Sequence, residues 1–204
     1  MSKRFISDLH LGHTNINEKL DKRGFSTTDE MDEYIIEQWN SVTKKDDEVY
    51  VLGDFSFHDG RKTNEIIKRL NGKIHFIEGN HDKTFLRDRN FDRSLVKICK
   101  NIEKIKDNNR TIIASHYPQC FYDGQYRKDE KGNPTTYMLY GHIHNTQDEV
   151  AMNEIRKLMS NFRFTDRFGN LCSIPFNLIN CFCMFSDYKP LTLEEWIENQ
   201  ANRT

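Results

Sequence analysis

Long apolar runs are missing from this 204-residue chain, and with them any segment resembling a membrane span. The opening Met1-Ser2-Lys3-Arg4-Phe5 leaves no room for the apolar stretch of a secretory leader, so a cytoplasmic protein with no membrane partner is expected. No CxxC pair occurs among the five cysteines, and their odd number argues against both a disulfide framework and a thiolate zinc site. Surplus charge is missing too: 30 Lys and Arg stand against 31 Asp and Glu, a formal net charge of -1, so no bulk attraction to nucleic acid or lipid arises. Repeats and low-complexity tracts are absent. The length suits one core, and 1–204 is read as a single domain.

What is present is a series of apolar runs bounded by turn residues, at 4–7, 48–52, 73–78, 111–115, 137–140 and 178–184, which read as buried strands. Between the first two, Thr27 and Glu30 form a capping box, and Met31, Ile35 and Trp39 recur every fourth position, so a helix is predicted. A second helix is predicted over 65–70, stopped by Asn71-Gly72, and others over 148–160 and after Thr192. Strand alternating with helix is the grammar of a crossover sheet. Segments 102–106 and 111–116 read instead as an antiparallel hairpin, which makes the second half mixed. A short hairpin through Gly169-Asn170 is predicted within 163–173. Cys181 and Cys183, two apart in the last run, are expected on one side of a strand as buried free thiols. The polar stretch 119–135 is either a functional cover or a solvated insertion.

Five short motifs follow the predicted strands: Asp8-Leu9-His10, Gly53-Asp54, Gly79-Asn80-His81-Asp82, Ser115-His116 and Gly141-His142-Ile143-His144. Ligands gather at the carboxyl ends of strands in α/β sheets, so these motifs are expected to converge. In extended backbone, a spacing of two turns Asp8 with His10, and His142 with His144, toward one face. The donors are carboxylates, imidazoles and one carboxamide. Such a set suits two divalent ions, manganese first, with iron, zinc, cobalt, nickel or magnesium as alternatives.

Asp54, midway in motif order, is the natural bridge between ions roughly 3.5 to 4 Å apart. Two such ions outweigh the charges of Asp8 and Asp54, so the site attracts a phosphate. A metal-bridging hydroxide then serves as nucleophile, and phosphoester hydrolysis follows. His81, adjacent to the ligand Asn80 and projecting differently, is the candidate general acid. Asp82 either orients His81 or caps the next helix. His13 and Asn15 either contact substrate or cap a short helix at 16–20. Arg23, Arg61, Lys83 and Arg127 are phosphate contacts or solvated surface, and His58 and His75 read as structural.

The ordered set from Asp8 to His144 resembles the calcineurin-like metallophosphoesterase superfamily, and Asp187-Tyr188-Lys189-Pro190-Leu191 resembles the approach to the last helix in its small members. That resemblance implies one metal on Asp8, His10, Asp54 and His144, and another on Asp54, Asn80, His116 and His142. It also implies His81 as proton donor and an α/β fold, a four-layer α/β/β/α sandwich with two mixed sheets. The chain departs from phosphoprotein phosphatases, which carry Asp-Arg-Gly where Asp54 is followed by Phe55-Ser56-Phe57. It departs from lipid-A precursor pyrophosphatases at His81, where they carry arginine, and it lacks the length for the capping domain of DNA-repair exonucleases. A phosphodiesterase acting on a small nucleotide-like phosphoester is expected. The alternatives are a nuclease, and a metal-holding scaffold without chemistry.

Overall fold

In the computed structural model, which describes residues 1–203, the first half alternates strand and helix as the apolar periods require. The elements are β1 (Lys3–Ile6), α1 (Thr28–Val42), β2 (Glu48–Val51), α2 (Gly60–Ile67), β3 (Lys73–Phe76), the short α3 (Lys83–Leu86) and β4 (Lys97–Ile98). The strands lie in the order β1-β2-β3-β4, each parallel to its neighbour. Thr27 caps α1 by accepting from Glu30 N at 3.1 Å. The Glu30 carboxylate reaches one residue further back than a standard box, to Ser26 N at 2.9 Å. Helix α2 begins ahead of the predicted 65–70 because Asp59 caps it, its Oδ1 accepting from Lys62 N at 2.8 Å. The first turn there buries only Gly60 and Thr63 and so carries no large apolar side chain from which a start could be read.

The second half holds β5 (Ile102–Asp107), β6 (Arg110–Ser115), β7 (Thr136–Tyr140), α4 (Gln147–Asn161), β8 (Phe164–Thr165), β9 (Leu171–Cys172), β10 (Leu178–Asn180) and α5 (Leu193–Arg203). Its main sheet runs β10-β7-β6-β5, parallel except for the β5–β6 hairpin, where Asn108 takes the left-handed turn position that asparagine tolerates. The first sheet gains an antiparallel partner as well, through the bridge between Phe5 and Leu191. Strands β8 and β9 form the small hairpin. Thr192 and Glu195 close a reciprocal capping box on α5 at 2.8 and 3.3 Å.

One expectation fails in the last strand. It ends at Asn180, and Cys183–Ser186 curls into a tight helical turn. Cys181 therefore packs between the sheets while Cys183 packs on the helix side of the first sheet, so the two thiols face different clusters.

Three apolar clusters separate four layers. Ile6, Val51 and Phe76 pack against Met31, Ile35, Trp39 and Ile66 of α1 and α2. Phe5, Leu52 and Ile77 meet Ile112, Leu139 and Ile179 between the sheets, with Leu193 and Trp196 of α5 closing that layer. Ile113, Met138 and Leu178 pack with Met152 of α4. Strands covered on both faces must be apolar on both, which is why their sequences read as runs. Each large side chain so buried contributes about 1.5–3 kcal/mol. Trp39 and Trp196 also place their indole N–H groups on carbonyls, Asn71 O at 2.8 Å and Phe5 O at 2.9 Å. No helix among the described residues is long and apolar enough to cross a membrane. The strands β1, β2, β3, β6 and β7 each end with at most two residues intervening before one of the five motifs or run into it.

Candidate metal centre

At that shared edge the donors separate into two groups, Asp8 with His10 and His144, and Asp54 with His116 and His142, each with ligand atoms within 4.8 Å of one another. In the first group His144 Nε2 lies 3.6 Å from Asp8 Oδ1 and 3.2 Å from His10 Nε2. In the second, His116 Nε2 lies 3.5 Å from Asp54 Oδ2 and 2.8 Å from Asn80 Oδ1. Asp54 Oδ2 is also 3.6 Å from His10 Nε2, so one carboxylate oxygen stands between the groups. Imidazole nitrogens and carboxylate oxygens converging on shared space, with all members of the two groups but His142 buried, are a donor set that suits a pair of divalent cations. Burial, followed by the charge of His144, holds the pKa of His10 far below its ordinary value. Burial, then His116, lowers that of His142. Neutral imidazole is the ligating form.

The backbone reaches this arrangement through strain. Asp8, His10, Asp54, His142 and His144 all have φ between 48° and 72°. That left-handed conformation costs a non-glycine residue about 1–3 kcal/mol. The extended geometry expected of the two-residue spacings is thereby corrected: the chain curls at these five donors, and His142 and His144 turn to different groups rather than one face. The curl also aims His142 N at the Asp8 carboxylate, at 3.0 and 3.1 Å. Two glycines make room. A Cβ at Gly79 would collide with the side chain and amide of Asp54, and one at Gly141 would come within 2.6 Å of Asp8 Oδ2.

Supporting contacts fix the rings. His116 Nδ1 meets Leu52 O at 2.8 Å, and His144 Nδ1 meets both oxygens of Asp21, at 2.9 and 3.1 Å. Burial opposes charge on His144, but the Asp21 hydrogen bond and the charge of Asp8 outweigh it and raise the pKa. Asp82 fills neither role expected of it. Its side chain makes no helix-cap bond; instead it accepts from Asp54 N, Phe55 N and Gly79 N, each at 2.7 Å, tying two strand-end loops together. Arg23 is likewise neither surface nor phosphate contact, because its guanidinium is buried on Asp8 O, Leu9 O and Asp21. Asp21 escaped sequence reasoning because it belongs to no strand-end motif.

A cleft of about 410 Å³ opens over the first group, lined among others by His13, Ile16, Leu20, His81 and Ile143. His81 is exposed there, and its main-chain N–H donates to Asp54 Oδ1 at 2.9 Å. His13 lies on the cleft wall, stacked on Phe57 with ring centroids 3.7 Å apart. Asn15 is exposed, does not line the cleft and makes no cap bond to the Ile16–Leu20 turn. No residue of 119–135 lines the cleft either; Gln125, buried within that loop, anchors it to Pro175 O at 2.6 Å. Tyr117 stands over the second group, its ring 4.5 Å from that of His142. Arg61, Lys83 and Arg127 are exposed and do not line the cleft. His58 is tied to Asp32 at 2.6 Å, and His75 lies 3.4 Å from Glu48.

Residues 1–159, which carry every one of these donors, match the calcineurin-like phosphoesterase superfamily domain. The chain belongs to that superfamily. Its members are metal-dependent phosphoesterases, and the Asp and His groups at the sheet edge are donors of the kind such hydrolases use. An uncharacterised protein of Methanocaldococcus jannaschii is 46% identical over 80 residues, 38% of this chain and 45% of its own, so the match spans less than half of that relative. The gene 66 protein of Mycobacterium phage D29 is 24% identical over 174 residues, covering 76% of this chain and 84% of that protein. The crystal structure of a protein of unknown function from Aquifex aeolicus shares the fold, with a TM-score of 0.64 over 96% of this chain and 97% of that one at 23% identity.

Proposed function

We propose that the chain is a single-domain, two-metal phosphodiesterase acting on a small phosphoester, with manganese as the favoured ion. The observation that carries this reading is the position of Asp54 Oδ2, 3.6 Å from His10 and 3.5 Å from His116, where one oxygen serves both donor groups. When bound, two divalent ions ionise water near neutral pH and neutralise charge on the phosphoryl oxygens. Asp8, His10 and His144 would hold one ion and His116, His142 and Asn80 the other, with Asp54 shared between them. His81 protonates the leaving-group oxygen from the cleft side, its main chain pinned to Asp54 at 2.9 Å. His13 forms part of the wall against which the organic group rests.

The cleft favours a small ester over a nucleic acid. Ile16, Leu20 and Ile143 offer an apolar wall, Asp148 lies at the rim, and no lysine or arginine lines it. Beyond the metals themselves, a polyanionic strand would meet no compensating lysine or arginine on that wall. The test is protein loaded with Mn²⁺ and assayed on bis-p-nitrophenyl phosphate, p-nitrophenyl phosphate, cyclic nucleotides and single-stranded DNA. Turnover of the small diesters, abolished by a chelator and restored by Mn²⁺, is the expected result. Faster cleavage of DNA would make it a nuclease, and two bound ions with no turnover of any substrate would leave a metal-holding module.

A further inference from the structure

The two histidine groups are supported by unlike partners. His116 Nδ1 rests on the Leu52 main-chain carbonyl at 2.8 Å, whereas His144 Nδ1 rests on the Asp21 carboxylate at 2.9 and 3.1 Å. A carboxylate behind an imidazole fixes its ring and makes the opposite nitrogen a stronger donor than a neutral carbonyl does. That opposite nitrogen, His144 Nε2, faces Asp8 Oδ1 and His10.

Asp21 is itself held. Arg23 Nε and Nη2 donate to Asp21 Oδ2 at 3.2 and 2.9 Å. The same guanidinium donates to Asp8 O at 2.8 Å and Leu9 O at 2.5 Å. One buried cation thus links the carboxylate behind His144 to the main chain that carries Asp8 and leads to His10. Phe182 completes the clamp, stacked on the His144 ring with centroids 4.7 Å apart.

We infer that Asp21, locked by Arg23, is a positioning residue that sets the metal affinity of the Asp8, His10 and His144 centre separately from that of the Asp54, His116 and His142 centre. The inference rests on the two-metal reading above. Asp21 touches no substrate and no reacting atom; it acts through His144.

The experiment is calorimetric titration of the metal-free full chain with Mn²⁺, with bound metal counted by elemental analysis. Asp21→Ala is expected to weaken one of two binding steps about 10- to 100-fold and to leave the other unchanged. Adding it to His144→Ala should weaken that step no further, while its effect should add to that of His142→Ala on the other step. Removing Asp21 leaves a buried guanidinium uncompensated. Asp21→Asn, which keeps an oxygen for both His144 and Arg23, therefore serves as the folded counterpart, checked by circular dichroism, and should fall between wild type and Asp21→Ala. Equal weakening of both steps, or no change in either variant, overturns the inference while leaving the two-metal reading intact. Wild-type protein that binds fewer than two ions overturns both.

Discussion

Replacing Asp82 tests whether the metal-binding edge depends on a buried carboxylate that never faces the cleft. Its two oxygens accept three main-chain N–H groups, from Asp54, Phe55 and Gly79, each at 2.7 Å, and the residue is fully buried. Asp82→Ala would strand all three donors in a site without water access. At about 1–3 kcal/mol for each buried unsatisfied donor, the loss is roughly 3–9 kcal/mol. Burial and the neighbouring charge of Asp54 push the Asp82 pKa up to about 7, a cost that offsets part of what the three bonds contribute. The lower half of the range is therefore expected. Against a typical total of about 5–15 kcal/mol, that is a large fraction. In Asp82→Asn the side-chain oxygen can serve Asp54 N and Gly79 N, but the amide group then opposes Phe55 N–H, and about 1.5–3 kcal/mol should be lost with that charge-assisted bond. Urea unfolding of metal-free protein measures both. An alanine variant within about 0.5 kcal/mol of wild type, the usual effect of a neutral surface change, would refute the role assigned to this carboxylate.

His81→Ala should retain two metal ions while kcat falls about 10²- to 10⁴-fold, most steeply for poor leaving groups. Full activity of that variant on an alkyl phosphodiester would remove His81 from the mechanism. Asp54→Asn should weaken both ions together, because its Oδ2 stands between the two histidine groups, and an unchanged stoichiometry in elemental analysis would argue against a bridge. Mn²⁺ at a hundred times its dissociation constant should stabilise the fold by about 2.7 kcal/mol per site, read as a rise in thermal midpoint that a chelator reverses. A midpoint indifferent to both would mean that the edge holds no ion.

Most of the strands, the capped helices at Thr27 and Thr192, and the seven candidate donors from Asp8 to His144 were legible because each depends on neighbours close in sequence: an apolar run, a cap three residues from its partner, a motif after a strand. The start of α2 was not, since its first turn buries only Gly60 and Thr63 and carries no apolar period. The roles of Asp82, Asp21 and Arg23 were hidden for a different reason. Their partners lie on other loops, and nothing in the strings around them specifies Asp54 N, His144 Nδ1 or Asp8 O as the atom to be met.

Periodicity and motif order by themselves determined the α/β class of fold and singled out the candidate donors, since side-chain chemistry and local periodicity are properties of the string. What only the tertiary structure decided is the local backbone that separates His142 from His144, which strand periodicity alone had turned to one face. The pairing of His144 with Asp8 and of His142 with Asp54 follows from left-handed turns at the ligands themselves, and backbone strain of that kind persists only where surrounding packing enforces it.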